Sequence, residues 1–270
     1  MQNFAVIGHP ITHSLSPLIH QQFALQHSIK LNYERVDITS ENCTAWIRQF
    51  FRQGGNGLNV TLPLKEIVLS IADVIHTHAE TAKAANTLWV HKKQIHADNT
   101  DGVGFLRDLQ RYINLTNSKV LILGAGGATR GILEPLLQSG VHSVYVSNRS
   151  ENRAHQLKTD FPAVHLLPWT QLEGSYEVII NATAAGHSHS HLPLQSDKFS
   201  EKPFAYDLSY KRNADTPFVQ QCRAFGWESI DGLGMLVEQA AESFYIWHGV
   251  RPDTQTVLQL LRQQGHLLQE

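Results

Sequence analysis

The chain has 270 residues, a formal charge of −2, and 42% hydrophobic and 17% charged residues. That leaves room for two modest domains with ample core, and a near-neutral chain without a long basic run argues against nucleic acid or a membrane surface as partner. Cys43 and Cys222 are the only cysteines, which excludes a disulfide framework and a cysteine-only zinc site; no membrane span or signal peptide is legible, because Phe4 to Gly8 is short and lacks a basic flank, so a cytoplasmic protein is expected.

Phe4 to Gly8 reads as a first buried strand. Ser16-Pro17 then reads as an N-cap with proline at the first helical position, followed by Leu18, Ile19, Phe23 and Ala24 at helical spacing. Two hydroxyls, Ser14 and Ser16, at a helix N-terminus suit a carboxylate; the plainer reading is that Ser16 only caps the helix. Leu31 to Ile38 is the next strand, and Ser40 caps a helix that runs to about Gln53, where Gly54-Gly55 stop it. Gly57 to Thr61 is a third strand, and Pro63 is expected to open a helix bearing Lys65. A lysine there is commonly a solvated charge, but this one follows Asn59 and Thr61 at the carboxyl end of a strand, where open α/β sheets place their sites. Ala79 to Ala85 reads as helix, interrupted by Asn86 before a strand at Thr87 to Val90; His91 to Gln94 turn the chain into Ile95 to Ala97. Asp98-Asn99-Thr100-Asp101-Gly102 introduces a helix over about Val103 to Tyr112, with Asp101 either its N-cap or a functional acid.

Lys119 to Gly131 (K-V-L-I-L-G-A-G-G-A-T-R-G) organises the second half. Val120 to Leu123 read as a parallel strand buried on both faces. Gly124, Gly126 and Gly127 break it and open a helix through Ile132, Leu133, Leu136 and Leu137. A strand, a glycine turn and a helix N-terminus make a phosphate site, although a plain tight turn reads the same way and the third glycine of G-x-G-x-x-G falls on Thr129. One helix later, the strand Ser143 to Ser147 ends in Asn148-Arg149-Ser150, with Arg153 beyond and no acid for a ribose hydroxyl. Two guanidiniums there suit the 2′-phosphate of NADP; the alternative is a solvated loop. Further strands are expected near Val164 to Leu166, at Tyr176 to Ile180 and, the last clear one in this half, at Phe204 to Leu208. Thr216-Pro217 caps a helix to Phe225. Gly232-Leu233-Gly234 opens a helix with an apolar stripe at Leu236, Ala240, Ala241 and Phe244 that also carries Gln239, and a final helix spans about Thr254 to Leu268. His187, His189 and His191 stand close together, but without an Asp, Glu or Cys nearby they read as a surface loop, so no metal is expected.

The alternation predicts an α/β protein of two α/β domains: residues 1–100 with 232–270, and a Rossmann-like unit over 101–231, the C-terminal helices returning to the first domain. The motifs G-H-P-I-T-H-S-L-S-P (8–17), N-V-T-L-P-L-K (59–65), A-N-T (85–87), N-T-D-G (99–102), G-A-G-G-A-T-R (124–130), N-R-S (148–150), N-A-T-A-A-G (181–186), Y-D-L-S-Y (206–210) and D-G-L-G-M-L-V-E-Q-A (231–240) follow in order. By them the chain resembles the shikimate dehydrogenase family over essentially its whole length. The resemblance implies that Ser14 and Ser16 hold the shikimate carboxylate, that Thr61, Asn86, Asp101, Tyr210 and Gln239 bind its hydroxyls and keto group, and that Lys65 is the acid/base residue, catalytic together with Asp101. It implies an N-terminal substrate-binding domain and an NADP-binding one. Gly124, Gly126, Gly127, Ala128, Thr129 and Arg130, with Asn148, Arg149 and Arg153, would hold NADP, and Thr183, Leu208, Gly232 and Met235 would line its nicotinamide half. Further, it implies a cytoplasmic enzyme of aromatic amino-acid biosynthesis, commonly a homodimer, that reduces 3-dehydroshikimate with NADPH. The segment Lys211 to Asp215 is a residue longer than that pattern, and Ser150 stands where threonine is commoner.

The chemistry agrees: reducing a ketone needs a hydride donor, a proton donor and a substrate anchor. The alternatives are a quinate/shikimate dehydrogenase using NAD, against which the two arginines speak, and a non-catalytic sensor of a pathway metabolite, against which Lys65 and Asp101 together speak.

Overall fold

The computed structural model describes residues 1–183 and 191–267, with side chains to residue 263. The chain falls into two compact units, Met1–Gly104 with Leu236–Leu260, and Phe105–Met235 with the residues from Leu261 on.

In the first, β1 (Gln2–Gly8), α1 (Ser16–Gln26), β2 (Leu31–Asp37), α2 (Ser40–Arg52), β3 (Gly57–Val60), β4 (Val74–Ile75), α3 (Thr77–Ala82), β5 (Thr87–His91) and β6 (Gln94–Asp98) lead to α4 (Asp101–Leu109). The second contains β7 (Lys119–Leu123), α5 (Gly127–Gln138), β8 (Ser143–Ser147), α6 (Glu151–Asp160), β9 (His165–Leu166), β10 (Val178–Asn181), β11 (Phe204–Asp207), α7 (Pro217–Ala224) and β12 (Ser229–Ile230). The helices α8 (Leu233–His248) and α9 (Thr254–Leu267) follow.

The first sheet runs β2-β1-β3-β5-β6-β4. Its β1, β2 and β3 pair in parallel, while β5 is antiparallel to both β3 and β6. Lys92 and Lys93 both take positive φ and close the β5–β6 hairpin in two residues. The two-residue strand β4 is too short to show alternation, and sequence reading misses it. The second sheet, β12-β11-β10-β7-β8-β9, is parallel throughout. Its order reverses beside β7, so the glycine turn after that strand sits at a topological switch point, as in doubly wound dinucleotide folds. Here too a two-residue strand, β12, escapes sequence reading, and Phe204–Asp207 is not the last strand of this half. Thr216 does cap α7, accepting the N–H of Val219 at 3.3 Å.

Each unit has its own core. In the first, Ile7, Leu58, Leu64, Val68 and Leu88 are buried together, and in the second Val120, Ile122, Ile132, Val144 and Ile180 are. Where α1 meets α8, His20 is fully buried, stacked on Tyr33 at 4.4 Å and 12°, with Phe23, Phe244 and Trp247 around it. Neither ring nitrogen has a hydrogen-bond partner. Burial, reinforced by His248 and offset only in part by the neighbouring Asn59 amide, which is not within hydrogen-bond geometry, pushes its pKa down to about 3. The unfolded chain therefore binds this proton more tightly, and the stability His20 contributes is full above pH 6.5 and lost as pH falls toward 3. At pH 5 the loss is about 2 kcal/mol. His20→Phe keeps the stack, so it should flatten the decline of unfolding free energy between pH 6.5 and 5 by that amount in urea titrations. An unaltered slope would assign the acid sensitivity to another group.

Candidate functional site

In the first unit, the segment after β3 does not form the expected helix. The carbonyl of Lys65, which a helix would give to Leu69, accepts the N–H of Ala85 at 2.8 Å, and Leu69 bonds Glu66 instead. Lys65 therefore sits on a turn that leads into a short 3-10 segment at Ile67–Ser70. The Ala79–Ala85 helix stops early for a related reason. Lys83 turns left-handed at φ 54°, which ends α3 at Ala82 and frees Ala85 and Asn86 to pair with other segments.

Lys65 Nζ donates to Asp101 Oδ2 at 2.5 Å, with side chains 23% and 15% exposed. Asp101 begins α4, but its N–H is accepted by Asn99 Oδ1 at 3.0 Å, so Asn99 does the capping and the Asp101 carboxylate is left for other partners. Its second oxygen, Oδ1, accepts from Asn86 Nδ2 at 2.8 Å. Asn86 Nδ2 also lies 3.2 Å from Gln239 Oε1 on α8. Thus Lys65, Asp101, Asn86 and Gln239, remote in sequence, form one cluster.

Around it stand buried polar residues that sequence reasoning passed over as members of the site, Thr87, Thr100, Ser243 and Tyr33; Asn59, already noted at the carboxyl end of its strand, is buried with them. Thr87 and Thr100 lie inside quoted motifs, and Ser243 interrupts an apolar helix face one turn after Gln239. That interruption was the available signal.

Ser16 is the first residue of α1, not its N-cap; the cap position is Leu15, whose own side chain makes no capping bond. The N–H of Ser16 donates to Ser14 Oγ at 3.3 Å, and the two hydroxyls stand 3.1 Å apart. The Arg35 Nε–H donates to the Ser14 carbonyl at 2.7 Å and ties down the loop. Thr61 follows β3, its N–H on the Ile7 carbonyl at 2.9 Å. Tyr210 belongs to the second unit, where burial pushes its phenol up.

In the second unit, Gly124 takes φ +115°, and a Cβ there would meet the Ala182 carbonyl oxygen at 2.8 Å. The N-cap of α5 is Gly126, without a side-chain cap. A Cβ on Gly126 or Gly127 would find nothing within 4 Å, so open space lies beside this turn. An uncapped N-terminus with room beside it fits a pyrophosphate. Thr129, at the third glycine position, is fully buried and donates its hydroxyl to the Gly124 carbonyl at 2.9 Å, tying loop to helix. Ala128 lies between them in the first turn of α5. Asn148 Oδ1 accepts the N–H of Ala125 at 3.1 Å, and Arg149 and Arg153 beyond it are exposed. Arg130 instead pairs with Asp160 at 2.5 Å. Thr183 is held through its N–H and hydroxyl by Asn181 Oδ1. Gly232 lies against Leu208, whose carbonyl oxygen would be 2.3 Å from a Cβ, and Met235 packs on the core. The glycine loop, Asn148 and the two exposed guanidiniums fit NADP.

Of the three histidines read as a surface loop, His187 and His189 lie outside the described residues and His191 is exposed. Among the described residues no group of His, Cys, Asp and Glu could hold a metal, and no helix is long and apolar enough to cross a membrane.

Sheet order, glycine turn and uncapped helix define a two-domain α/β protein of the dinucleotide-binding class. Family models described as the shikimate dehydrogenase substrate binding domain, shikimate / quinate 5-dehydrogenase and the shikimate 5'-dehydrogenase C-terminal domain match residues 6–88, 107–234 and 232–262. The shikimate dehydrogenase (NADP(+)) of Legionella pneumophila (strain Corby) is 48% identical over 262 residues, covering 97% of this chain and 99% of that protein. That of Laribacter hongkongensis (strain HLHK9) is 43% identical over 268 residues, covering 96% and 97%. The crystal structure of shikimate 5-dehydrogenase from Thermus thermophilus in complex with NADP(H) and shikimate is similar at a TM-score of 0.87 and 32% identity, covering 97% of this chain and 99% of that one. The chain belongs to the shikimate dehydrogenase family.

The cluster depends on close approach of two helices. A Cβ on Gly104, three residues after Asp101, would lie 2.5 Å from the backbone nitrogen of Gln239. Gly104→Ala should cost about 1–3 kcal/mol of stability, the usual worth of overpacking, and lower turnover by shifting Asp101 from Asn86. Chemical denaturation and steady-state kinetics test both; a variant unchanged in both would show that the helices have slack.

Proposed function

We propose that this chain interconverts 3-dehydroshikimate and shikimate, with Lys65 as acid/base residue and Asp101 as its partner. The observation that carries the reading is the 2.5 Å contact of Lys65 Nζ with Asp101 Oδ2, while Asn86 occupies the other carboxylate oxygen. NADP(H), when bound, supplies or takes up the hydride. In reduction the Lys65 ammonium gives a proton to the oxygen that gains negative charge; in oxidation its amine form accepts that proton. Asp101, fixed from both oxygens, orients Nζ. Asn86, Gln239, Thr61 and Tyr210 provide amides and hydroxyls for the substrate's oxygens. Ser14 and Ser16 offer two adjacent hydroxyls at a helix start, a neutral anchor for a carboxylate.

The α5 N-terminus, with Gly124, Gly126, Gly127, Ala128 and Thr129, takes the pyrophosphate; Arg130, paired with Asp160, braces that first turn. Asn148, Arg149 and Arg153 take the adenosine phosphate, and Thr183, Leu208, Gly232 and Met235 the nicotinamide end. The remaining expectations, a cytoplasmic homodimer serving chorismate and aromatic amino-acid biosynthesis, rest on the family resemblance.

Lys65→Ala should lower kcat by about 10²–10⁴, the worth of a positioned acid/base, and leave NADP binding intact. Asp101→Ala should also be severe, and the two losses should not add, because the residues act as a unit. Near-normal kcat in Lys65→Ala would remove the lysine from the mechanism.

Cofactor choice tests the second unit. Each guanidinium bonded to a phosphate is worth about 1.5–3 kcal/mol, so NADP should be preferred over NAD by about 10²-fold or more. Arg149→Ala should erode that preference by weakening NADP alone, and salt should act likewise but more mildly. Equal kcat/KM for the two cofactors in the unaltered enzyme would make these arginines ordinary surface charges.

A further inference from the structure

We propose that Ser243 and Thr87 are positioning residues, whose paired hydroxyls fix the amide of Asn86 and through it the carboxylate that holds Lys65. The proposal rests on the acid/base reading of Lys65 and Asp101 given above.

Ser243 lies on α8, one turn beyond Gln239, and is fully buried. Its Oγ is 2.7 Å from Thr87 Oγ1, accepts from Asn59 Nδ2 at 2.9 Å, and lies 3.1 Å from the Gln239 carbonyl and 3.3 Å from Thr100 Oγ1. Thr87 Oγ1 is in turn 2.8 Å from Asn86 Oδ1. Tyr33 donates its hydroxyl to Asn59 Oδ1 at 2.6 Å, which turns the Asn59 amide so that Nδ2 faces Ser243. From there the chain of contacts runs through Ser243, Thr87 and Asn86 to Asp101 and ends on Lys65.

The protons can be counted. Asn86 Oδ1 accepts the N–H of Thr100 at 2.9 Å and has one lone pair left, which takes a hydroxyl from Thr87 or Thr100. If Thr87 donates to Ser243, Thr100 fills Oδ1; if Thr87 keeps its proton on Asn86, Thr87 fills it and Thr100 Oγ1 accepts from Asn86 Nδ2 at 2.9 Å. Either way Oδ1 is saturated by donors and the NH₂ group must point to Asp101 Oδ1. A flipped amide would set NH₂ against the Thr100 N–H. Ser243 therefore decides which hydroxyl serves Asn86 and keeps the other engaged.

Burying this many polar groups is costly unless all are paired, and apolar residues of similar size would pack the same space with less risk. Ser243 breaks the otherwise apolar stripe of Val237, Ala240, Ala241 and Phe244, and beyond the bond to its own helix its 2.7 Å contact with Thr87 leads on to Asn86. A role in stability alone does not require that direction.

The test is a double-mutant cycle on the whole enzyme with Ser243→Ala, Thr87→Val and the pair combined. Both singles should lower kcat by about tenfold, the fold-change of one well-made hydrogen bond, with KM for NADP unchanged. The double variant should be scarcely worse than either, because both act through one route. Thr87→Ser keeps the hydroxyl and should retain most of kcat; should Ser243→Ala fail to fold, the contrast of Thr87→Val with Thr87→Ser carries the test. Unaltered kcat in both singles, losses that multiply in the double, or Thr87→Ser as impaired as Thr87→Val would overturn the proposal. Lys65→Ala measured alongside separates the failures. If it is inactive while Ser243→Ala and Thr87→Val turn over normally, only the positioning role fails; if it turns over normally, the acid/base reading fails.

Discussion

A lysine and an aspartate held 2.5 Å apart, both largely out of water, set the terms for the first unit. A charge removed from solvent is tolerated only when paired and hydrogen-bonded. Lys65 has its counter-ion, but Asp101 needs donors on both oxygens, and the second comes from Asn86. Asn86 in turn needs its own acceptor satisfied, which brings in Thr100 and Thr87, and these bring in Ser243, Asn59 and Tyr33. Each polar group admitted to the interior demands another, until the chain of demands closes on the helix backbone. Local departures from regular structure follow: the non-helical turn at Lys65, the left-handed Lys83 and the glycine at 104 each let a backbone reach the cluster.

The second unit solves a different problem, presenting backbone donors to a phosphate. The β7–α5 turn leaves the α5 N-cap without a side-chain bond, and Thr129 and Asn148 hold the loop through the Gly124 carbonyl and the Ala125 N–H. At the ends of β10 and β11, Asp207 collects hydrogen bonds from Asn181, Ser209 and Thr216. Burial nevertheless pushes its carboxyl up to about 6. Asp207 thereby locks Asn181, which holds Thr183, to the cap of α7. The elements nearest the proposed nicotinamide end are thus braced by one buried acid.

Much of this was legible from residues alone. Val120 to Leu123 reads as a strand because an unbroken apolar run suits a strand covered on both faces, and the three glycines after it read as the turn that breaks it. Of the six parallel strands, β12 cannot be read, since its two residues carry no periodicity, whereas β9 is expected near Val164 to Leu166. Pro63 misled the reading of Lys65: proline does open helices, but a long-range bond from Ala85 claims the carbonyl that a helix needs. Ser16 misled it by one position, because the residue that receives its N–H is another serine, Ser14. Individual site residues were named from motifs, whereas Tyr33 belongs to the site only through long-range contacts that no local pattern reveals, and Ser243 shows itself only as a polar break in an apolar helix face.

The central claim is that Lys65 moves the proton. Chemical rescue tests it most directly: Lys65→Ala is assayed for shikimate oxidation with NADP in the presence of small primary amines of graded basicity. The account predicts saturable recovery of turnover that rises with amine basicity, as general-base catalysis requires, and no recovery of Asp101→Ala by the same amines. Residual turnover indifferent to every amine, or near-normal turnover without one, would contradict it.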